Sequence, residues 1–215
     1  MTNFSHQAGL FDPRQARKVI VIGVGSIGSY VTLGLAKMGV TDITVIDGDT
    51  VASHNVPMSL YRTSDCCRRK VDALAEIVGQ LTGVTIRTNP NFYNGEALRR
   101  ATVIACVDKM SVRKMIWEQV RGQFSVDLFI DTRTAGTYFE VHAVSPRRQE
   151  DISYYESVLY PDEETARQTC GHHGIVFTSL AVTASVLATV ARSWNFDERK
   201  RCHAGKSEVP SEVQL

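Results

Sequence analysis

Lys18-Val19-Ile20-Val21-Ile22-Gly23-Val24-Gly25-Ser26-Ile27-Gly28 decides the fold class of this chain. The β-branched run predicts a strand from Lys18 to Ile22, and its unbroken apolar character suits a parallel strand buried on both faces. Gly23 to Gly28 reads as a Gly-x-Gly-x-x-Gly turn, followed by a helix from Ser29 to Met38 that stops at Gly39. A second β-branched strand, Asp42 to Ile46, completes a βαβ unit of about 30 residues. Glycines here permit a tight turn and let phosphate oxygens approach the N–H groups at the helix N-terminus. Gly23, Gly25, Ser26 and Gly28 are therefore candidate nucleotide contacts. Asp47 closes the second strand, where an acidic side chain binds ribose hydroxyls.

Outward from this unit, a polar irregular segment runs from Gly48 to Arg69 and is longer than an ordinary connection. A helix follows over about Lys70 to Leu81, with Val71, Leu74, Ile77 and Val78 on one face. Strands are predicted at Val84–Arg87 and Val103–Val107, then a helix from Ser111 to about Val120. Asp127–Asp131 and Tyr138–Val144 read as a hairpin around Ala135-Gly136. Pro146 to Gly174 reads as a second irregular stretch. It ends at a helix over about Phe177–Trp194, apolar on most faces and so expected to be buried. The alternation predicts an α/β, Rossmann-like, doubly wound and mainly parallel sheet with helices on both faces and some antiparallel strands in the C-terminal half. Its parts are an N-terminal arm (1–17), a nucleotide-binding domain (18–196) and a polar mobile tail (197–215).

Bulk composition narrows the function. A net charge of +1 argues against a broad basic face for nucleic acid. No run approaches the ~18 apolar residues of a membrane span, and Met1 to Gln7 lacks the basic and apolar regions of a signal peptide. Cys66, Cys67, Cys106, Cys170 and Cys202 have no framework spacing and no Cys-x-x-Cys pair. Reduced thiols in a cytoplasmic protein, without a zinc site of that kind, follow. Cys106 falls in an expected core strand and reads as packing, and Cys66 and Cys67 as structural neighbours of the Lys70 helix.

Several polar residues are expected at the sheet edge that carries the glycine turn. Asp47-Gly48-Asp49 ends a strand, Asn55 follows, Lys70 opens a helix, and Asp108 ends another parallel strand. A lysine and an asparagine near phosphates, with a carboxylate able to hold Mg²⁺, are equipment for a triphosphate. NAD binding would need only the turn and Asp47.

In order and spacing these residues resemble the ThiF/MoeB/HesA superfamily, the fold of ubiquitin-activating enzymes. That pattern runs D-x-D-x-V-x-x-S/H-N, D-x-G-x-x-K, D-x-x-x-x-R and C-x-x-x-G-[VI]. It is met here by Asp47 through Asn55, Asp65 through Lys70, Asp108 through Arg113, and Cys170 through Ile175. The resemblance covers about residues 18 to 192. It implies adenylation: a carboxylate, typically the C-terminal glycine of a ubiquitin-like or sulfur-carrier protein, attacks the α-phosphate of ATP and pyrophosphate leaves. It implies Asp47 on the ribose, Lys70 and Asn55 on the phosphates, Asp108 on Mg²⁺ and Asp49 on the metal side or behind it. It also implies a homodimer, with a heterodimer as the alternative.

Departures from the pattern are specific. Met58 stands where the family carries a phosphate-contacting arginine, with Arg62, Arg68 and Arg69 as nearby substitutes. The family's N-terminal arginine arm is absent, with Arg14 and Arg17 nearest, and its two zinc-binding cysteine pairs are missing. Cys170 precedes a helix, which favours a thiolate. It reads either as a thioester-forming cysteine or as a non-catalytic one, with His172 and His173 as poising groups or plain loop residues. Three functions stand: an adenylyltransferase, a non-catalytic nucleotide-binding partner subunit of the same fold, and an NAD-linked oxidoreductase.

Overall fold

All four residues of Val19–Ile22 are buried, and the strand they form, β1, is paired in parallel on both sides. The computed structural model describes residues 3–162 and 175–194. After β1 come α1 (Ser26–Lys37), β2 (Ile43–Ile46), α2 (Lys70–Thr82), β3 (Arg87–Asn89), β4 (Ala101–Ala105) and α3 (Met110–Val120). They are followed by β5 (Val126–Ala135), β6 (Tyr138–Val144), α4 (Gln149–Ser157) and α5 (Val176–Trp194). The sheet order is β3-β2-β1-β4-β5-β6, parallel except for the β5–β6 hairpin. That order reverses between β1 and β4, the switch point at which open α/β sheets bind ligands beyond their strand ends.

Register sets the working edge. Ile46, Ile22, Ala105, Asp131 and His142 lie in one row across β2, β1, β4, β5 and β6. β1, β2 and β4 end at that row, while β5 continues four residues past it. Alternate side chains of β1 feed two cores. Val19 and Val21 pack with α1, α2 and α5, and Ile20 and Ile22 face Trp117, Phe129 and Tyr155 beneath α3 and α4. A trio of rings packed tilted and edge-on on that face (Trp117–Tyr155 centroids 4.7 Å, Phe129–Tyr155 5.2 Å) anchors α4 to the sheet. Residues 3–17 fold back onto the domain, where Phe11 is buried with its ring 6.0 Å from that of Trp194.

Several boundaries differ from expectation for local reasons. α1 begins at Ser26 rather than Ser29, because Gly23 to Gly25 suffice for the turn. β3 begins at Arg87 rather than Val84: Gly83 caps α2 in the left-handed region (φ 75°), and the Val84 N–H is bonded to Thr82 Oγ1. β4 ends two residues earlier than expected, leaving Cys106, Val107 and Asp108 beyond the strand. The stretch after Pro146 contains a helix, α4, whose only buried side chains are Ile152 and Tyr155, too few to give an apolar stripe. α5 buries one face (Val182, Val186, Val190, Trp194) and exposes Ile175, Phe177 and Leu180 beside its start, so it is not buried all round. It has 19 residues and a mean hydropathy of 1.4, long and apolar enough to cross a bilayer by length and composition, which corrects the expectation that no segment reaches that threshold. Here it packs against α1 and β6.

The tightest geometric demand lies at the start of α1. A Cβ at Gly28 would stand 2.0 Å from the Gly23 carbonyl oxygen and 3.3 Å from Cys106 Cβ. Gly28→Ala is expected to cost about 2 kcal/mol or more, as overpacking against backbone does. Urea unfolding is the check, and an unchanged midpoint would show that the turn relaxes freely.

Candidate functional site

The backbone of Val24, at the centre of the glycine turn, is held at both its N–H and its carbonyl. Asp47 Oδ2 accepts from the Val24 N–H at 2.7 Å, and the Tyr61 hydroxyl donates to the Val24 carbonyl at 2.6 Å. The other oxygen of Asp47 accepts from the Asp49 N–H at 2.8 Å, so one carboxylate ties the turn to the chain leaving β2. Burial, then the charges of Asp47, Asp65 and Asp49, push the Tyr61 phenol well above its ordinary range and keep it a donor. Residues 55–61 are stapled to α1. Tyr30 donates to the Ser59 carbonyl (3.2 Å), Ser59 Oγ to the Asn55 carbonyl (2.7 Å), and the Leu60 N–H to Ser29 Oγ (3.3 Å).

This clasp leaves the start of α1 open. Gly25 is its N-cap, no side chain caps the helix, and a Cβ placed at Gly25 would meet nothing within 4 Å. Uncapped N–H groups at a helix N-terminus, on the C-terminal edge of a parallel sheet, form a place for an anion.

Around it the predicted residues are distributed unevenly. Lys70, the first residue of α2 and 8% exposed, reaches Asp49 Oδ2 at 2.7 Å, and its N–H bonds the Asp49 carbonyl at 3.0 Å. Those two are brought together as an ion pair. Asn55 accepts from the Ala52 N–H through Oδ1 at 3.0 Å, which commits its carboxamide oxygen and leaves its NH₂ as the donating end. Asp108 follows Cys106 and Val107, which abut the glycine turn: a Cβ at Gly23 would lie 2.5 Å from the Cys106 carbonyl oxygen and 3.2 Å from Val107 Cγ1. The Asp108 side chain is exposed and has no hydrogen bond or ion pair among the described residues.

The arginines that could replace the family's arginine at Met58 are mostly occupied. Arg62 and Arg68 both clamp Asp65 and Glu76. The hydrogen bond from Arg62 holds the buried Asp65 carboxyl below the usual carboxylate range. Arg69 is exposed. Arg14 is paired with Asp12 and Arg17 with Asp127, surface pairs of little worth. Cys67 stands at the glycine of the D-x-G-x-x-K pattern and keeps the glycine-like conformation, φ 70°. Cys106 lies just past β4 rather than inside it, and burial pushes its thiol up to about 12. It packs beneath the turn. Cys170, His172, His173, Cys202 and the tail from 197 lie outside the described residues.

Sequence reasoning missed two supports of this site. Tyr61 is one. The other is a buried charge cluster at the edge row. Asp131, with no exposure, receives Arg133 Nε at 2.8 Å and the Tyr155 hydroxyl at 3.0 Å, with Arg113 Nε at 3.4 Å. Arg113 also donates to the Val107 carbonyl at 2.6 Å and the Thr132 carbonyl at 3.0 Å, fixing the loop that carries Asp108. A signal was available: Asp131 and Arg133 are opposite charges two residues apart, spaced to share one face of the strand, directly after the apolar run Leu128–Ile130.

The chain matches the ThiF family over residues 4–200. It belongs to the ThiF family. Among its relatives is the adenylyltransferase and sulfurtransferase UBA4 of Yarrowia lipolytica, 30% identical over 79% of this chain and 43% of that protein. Another is the molybdopterin-synthase adenylyltransferase of Salmonella typhimurium, 31% identical over 53% of this chain and 47% of that protein. The chain thus spans less than half the length of these relatives. Among solved structures, E. coli MccB with ATP superposes with a TM-score of 0.62 at 15% identity, covering 86% of this chain and 58% of that one. At that identity the likeness shows the ThiF fold alone.

Two outcomes follow for this ThiF domain. Tyr61→Phe removes the donor to a buried carbonyl and is expected to cost about 1–2 kcal/mol in urea unfolding; a smaller loss would mean that Asp47 alone holds the turn. Cys67→Gly removes left-handed strain and is expected to gain about 0.5–1 kcal/mol. A loss of stability would show that the Cys67 side chain has a contact worth more than the strain.

Proposed function

We propose that this domain is an ATP-dependent adenylyltransferase that activates a carboxylate. The preferred substrate is the C-terminal glycine of a ubiquitin-like or sulfur-carrier protein. The observation that carries the reading is the open, uncapped start of α1, clasped by Asp47 and Tyr61 and flanked by the loop of the unengaged Asp108. A carboxylate oxygen of the tail attacks the α-phosphorus of ATP, and the bond from that phosphorus to the pyrophosphate oxygen breaks. The acyl-adenylate and pyrophosphate result. The nucleophile is already ionised at neutral pH, so no general base is needed. The protein's work is positioning and stabilising charge on the phosphoryl oxygens.

Gly25, Ser26 and Gly28 present backbone N–H groups to the phosphates; the Gly23 N–H is taken by the Ile46 carbonyl at 2.8 Å, so Gly23 serves the shape of the turn. Asp47 takes the ribose with the lone pairs its two backbone bonds leave. Lys70 and the NH₂ of Asn55 serve the phosphates, with Asp49 holding the Lys70 ammonium in place. Among the described residues no three His, Cys, Asp or Glu side chains form a metal cage. Mg²⁺ on a triphosphate takes one or two carboxylates plus phosphate oxygens and does not need one. The exposed carboxylate of Asp108 fits such a site, where the ion would supply charge neutralisation. The protein acts in the cytoplasm as a homodimer, and Cys170 is the candidate for a later thioester.

A second reading, a nucleotide-binding partner subunit without catalysis, is favoured by one observation: Met58 replaces the family's arginine while Arg62 and Arg68 are held by Asp65 and Glu76. An NAD-linked oxidoreductase leaves Lys70, Asn55 and Asp108 without a task.

Calorimetric titration with ATP and Mg²⁺ is expected to show binding that Asp108→Ala weakens about tenfold with Mg²⁺ present and little in its absence. Pyrophosphate–ATP exchange supported by a carrier tail would then separate the enzyme from the partner subunit. Binding of NAD⁺ with no response to ATP would overturn the adenylation reading.

A further inference from the structure

Cys66 and Cys67 are adjacent free thiols, half-buried and exposed respectively, to which the adenylation reading gives no task. Their backbone sets them apart from an ordinary dipeptide, with ψ 138° at Cys66 and φ 70° at Cys67. At those angles the two Cα–Cβ bonds leave the joining peptide on the same side, whereas successive side chains of an extended strand point to opposite faces. The left-handed conformation that Cys67 adopts is costly for any residue with a Cβ, and a glycine there would remove the cost and the juxtaposition together.

The pair sits on a joint. The Cys67 N–H donates to the Val51 carbonyl at 2.9 Å, and the Val51 N–H to the Arg68 carbonyl at 2.8 Å. Thr50 and Arg69 form an antiparallel bridge, and the Lys70 N–H donates to the Asp49 carbonyl at 3.0 Å. Residues 67–70 are thereby laced to 49–51, the chain leaving β2, and the ion pair of Lys70 with Asp49 depends on that lacing.

We propose that Cys66 and Cys67 form a reversible disulfide with each other, and that this vicinal pair governs the placement of Lys70. Its effect on nucleotide rests on the reading above; the site itself does not. The oxidant is a small-molecule disulfide of the glutathione type. One cysteine thiolate attacks it, forming a mixed disulfide and releasing one thiolate. The neighbouring thiolate then attacks the cysteine sulfur of that mixed disulfide, closing the ring and releasing the second. Two cysteine thiols are oxidised, one disulfide is reduced, and the two protons pass to the released thiolates. Both Cβ atoms already stand on one side, so closure needs no reversal of the chain. The ring is small and contains the joining peptide, so closing it twists that planar unit away from its present angles. The Cys67 N–H belongs to the twisted peptide; its bond to Val51 is the one lost, and the lacing that places Lys70 loosens. The same strain makes the disulfide easy to reduce, as a reversible device requires.

The test exposes the reduced chain, Cys66→Ser and Cys67→Gly to oxidised glutathione, and reads mass with peptide mapping, hydrogen exchange, and titration with ATP and Mg²⁺. Wild type is expected to lose the mass of two hydrogens at residues 66–67 without retaining glutathione. Its amides at 49–52 are expected to exchange faster and its ATP binding to weaken, each about tenfold, the size of one lost backbone hydrogen bond. Dithiothreitol is expected to reverse all three changes. Cys66→Ser and Cys67→Gly are expected to bind ATP as reduced wild type does and to show none of these responses. A stable glutathione adduct in place of the ring, or an equal response in Cys67→Gly, would overturn the site. A ring that forms while exchange and ATP binding stay within about twofold of the reduced protein would overturn its control of Lys70. If reduced wild type does not bind ATP, the nucleotide reading falls, and mass and exchange still decide the ring and its hold on residues 49–52.

Discussion

The backbone of Val24, through the two peptide groups that flank its Cα, carries more of this structure than that of any other residue. Its N–H is taken by the Asp47 carboxylate and its carbonyl by the Tyr61 hydroxyl, so the turn between β1 and α1 cannot rotate without breaking one of two short bonds. Both partners come from outside the turn, one at the end of β2 and one from the polar segment before α2. A glycine-rich turn is intrinsically mobile, since glycine leaves the backbone its widest freedom. Fixing it from two directions turns a mobile loop into an array of N–H groups aimed at one place, and the uncapped helix start supplies the field that favours an anion there.

The same logic is repeated on the other side of the switch point with charges in place of dipoles. Asp131 is fully buried and would be untenable alone; Arg133, Arg113 and Tyr155 surround it. Arg113 then spends its remaining N–H groups on the Val107 and Thr132 carbonyls, so the cluster's cohesion becomes the rigidity of the loop bearing Asp108. Asp65 plays the corresponding part near α2, gathering Arg62 and Arg68 and thereby removing two cations from the list that could have replaced the arginine lost at Met58. In this ThiF domain the charged residues that hold the edge together outnumber those left free to meet a ligand there.

Much of this was legible in the chain. The βαβ unit, the order of the motifs and the hairpin after Asp131 follow from periodicity and glycine placement, because each depends on residues close in sequence. The errors were also local in cause. α4 was invisible because two buried side chains do not make a stripe, and β3 was misplaced because the Thr82 hydroxyl and Gly83 extended the hold of α2 over Val84. Motif spacing marked Arg113 without giving it a task, and Tyr61, in a polar stretch, carried no signal at all; the support each gives appears only when partners 19 and 37 residues away are placed beside them.

By itself, then, the sequence determined the fold class, the glycine turn and the order of the polar residues that follow it, since strand alternation, turn chemistry and motif spacing are properties of the chain. Only the tertiary structure decided which of those residues are engaged and which are open. Asp49 is given to Lys70, Arg62 and Arg68 to Asp65, and Asp47 to the backbone, whereas Asp108 is exposed. The reason is that a hydrogen bond or ion pair consumes a donor or acceptor wherever in the chain its partner lies, and those partners meet only when strands far apart in sequence are laid side by side.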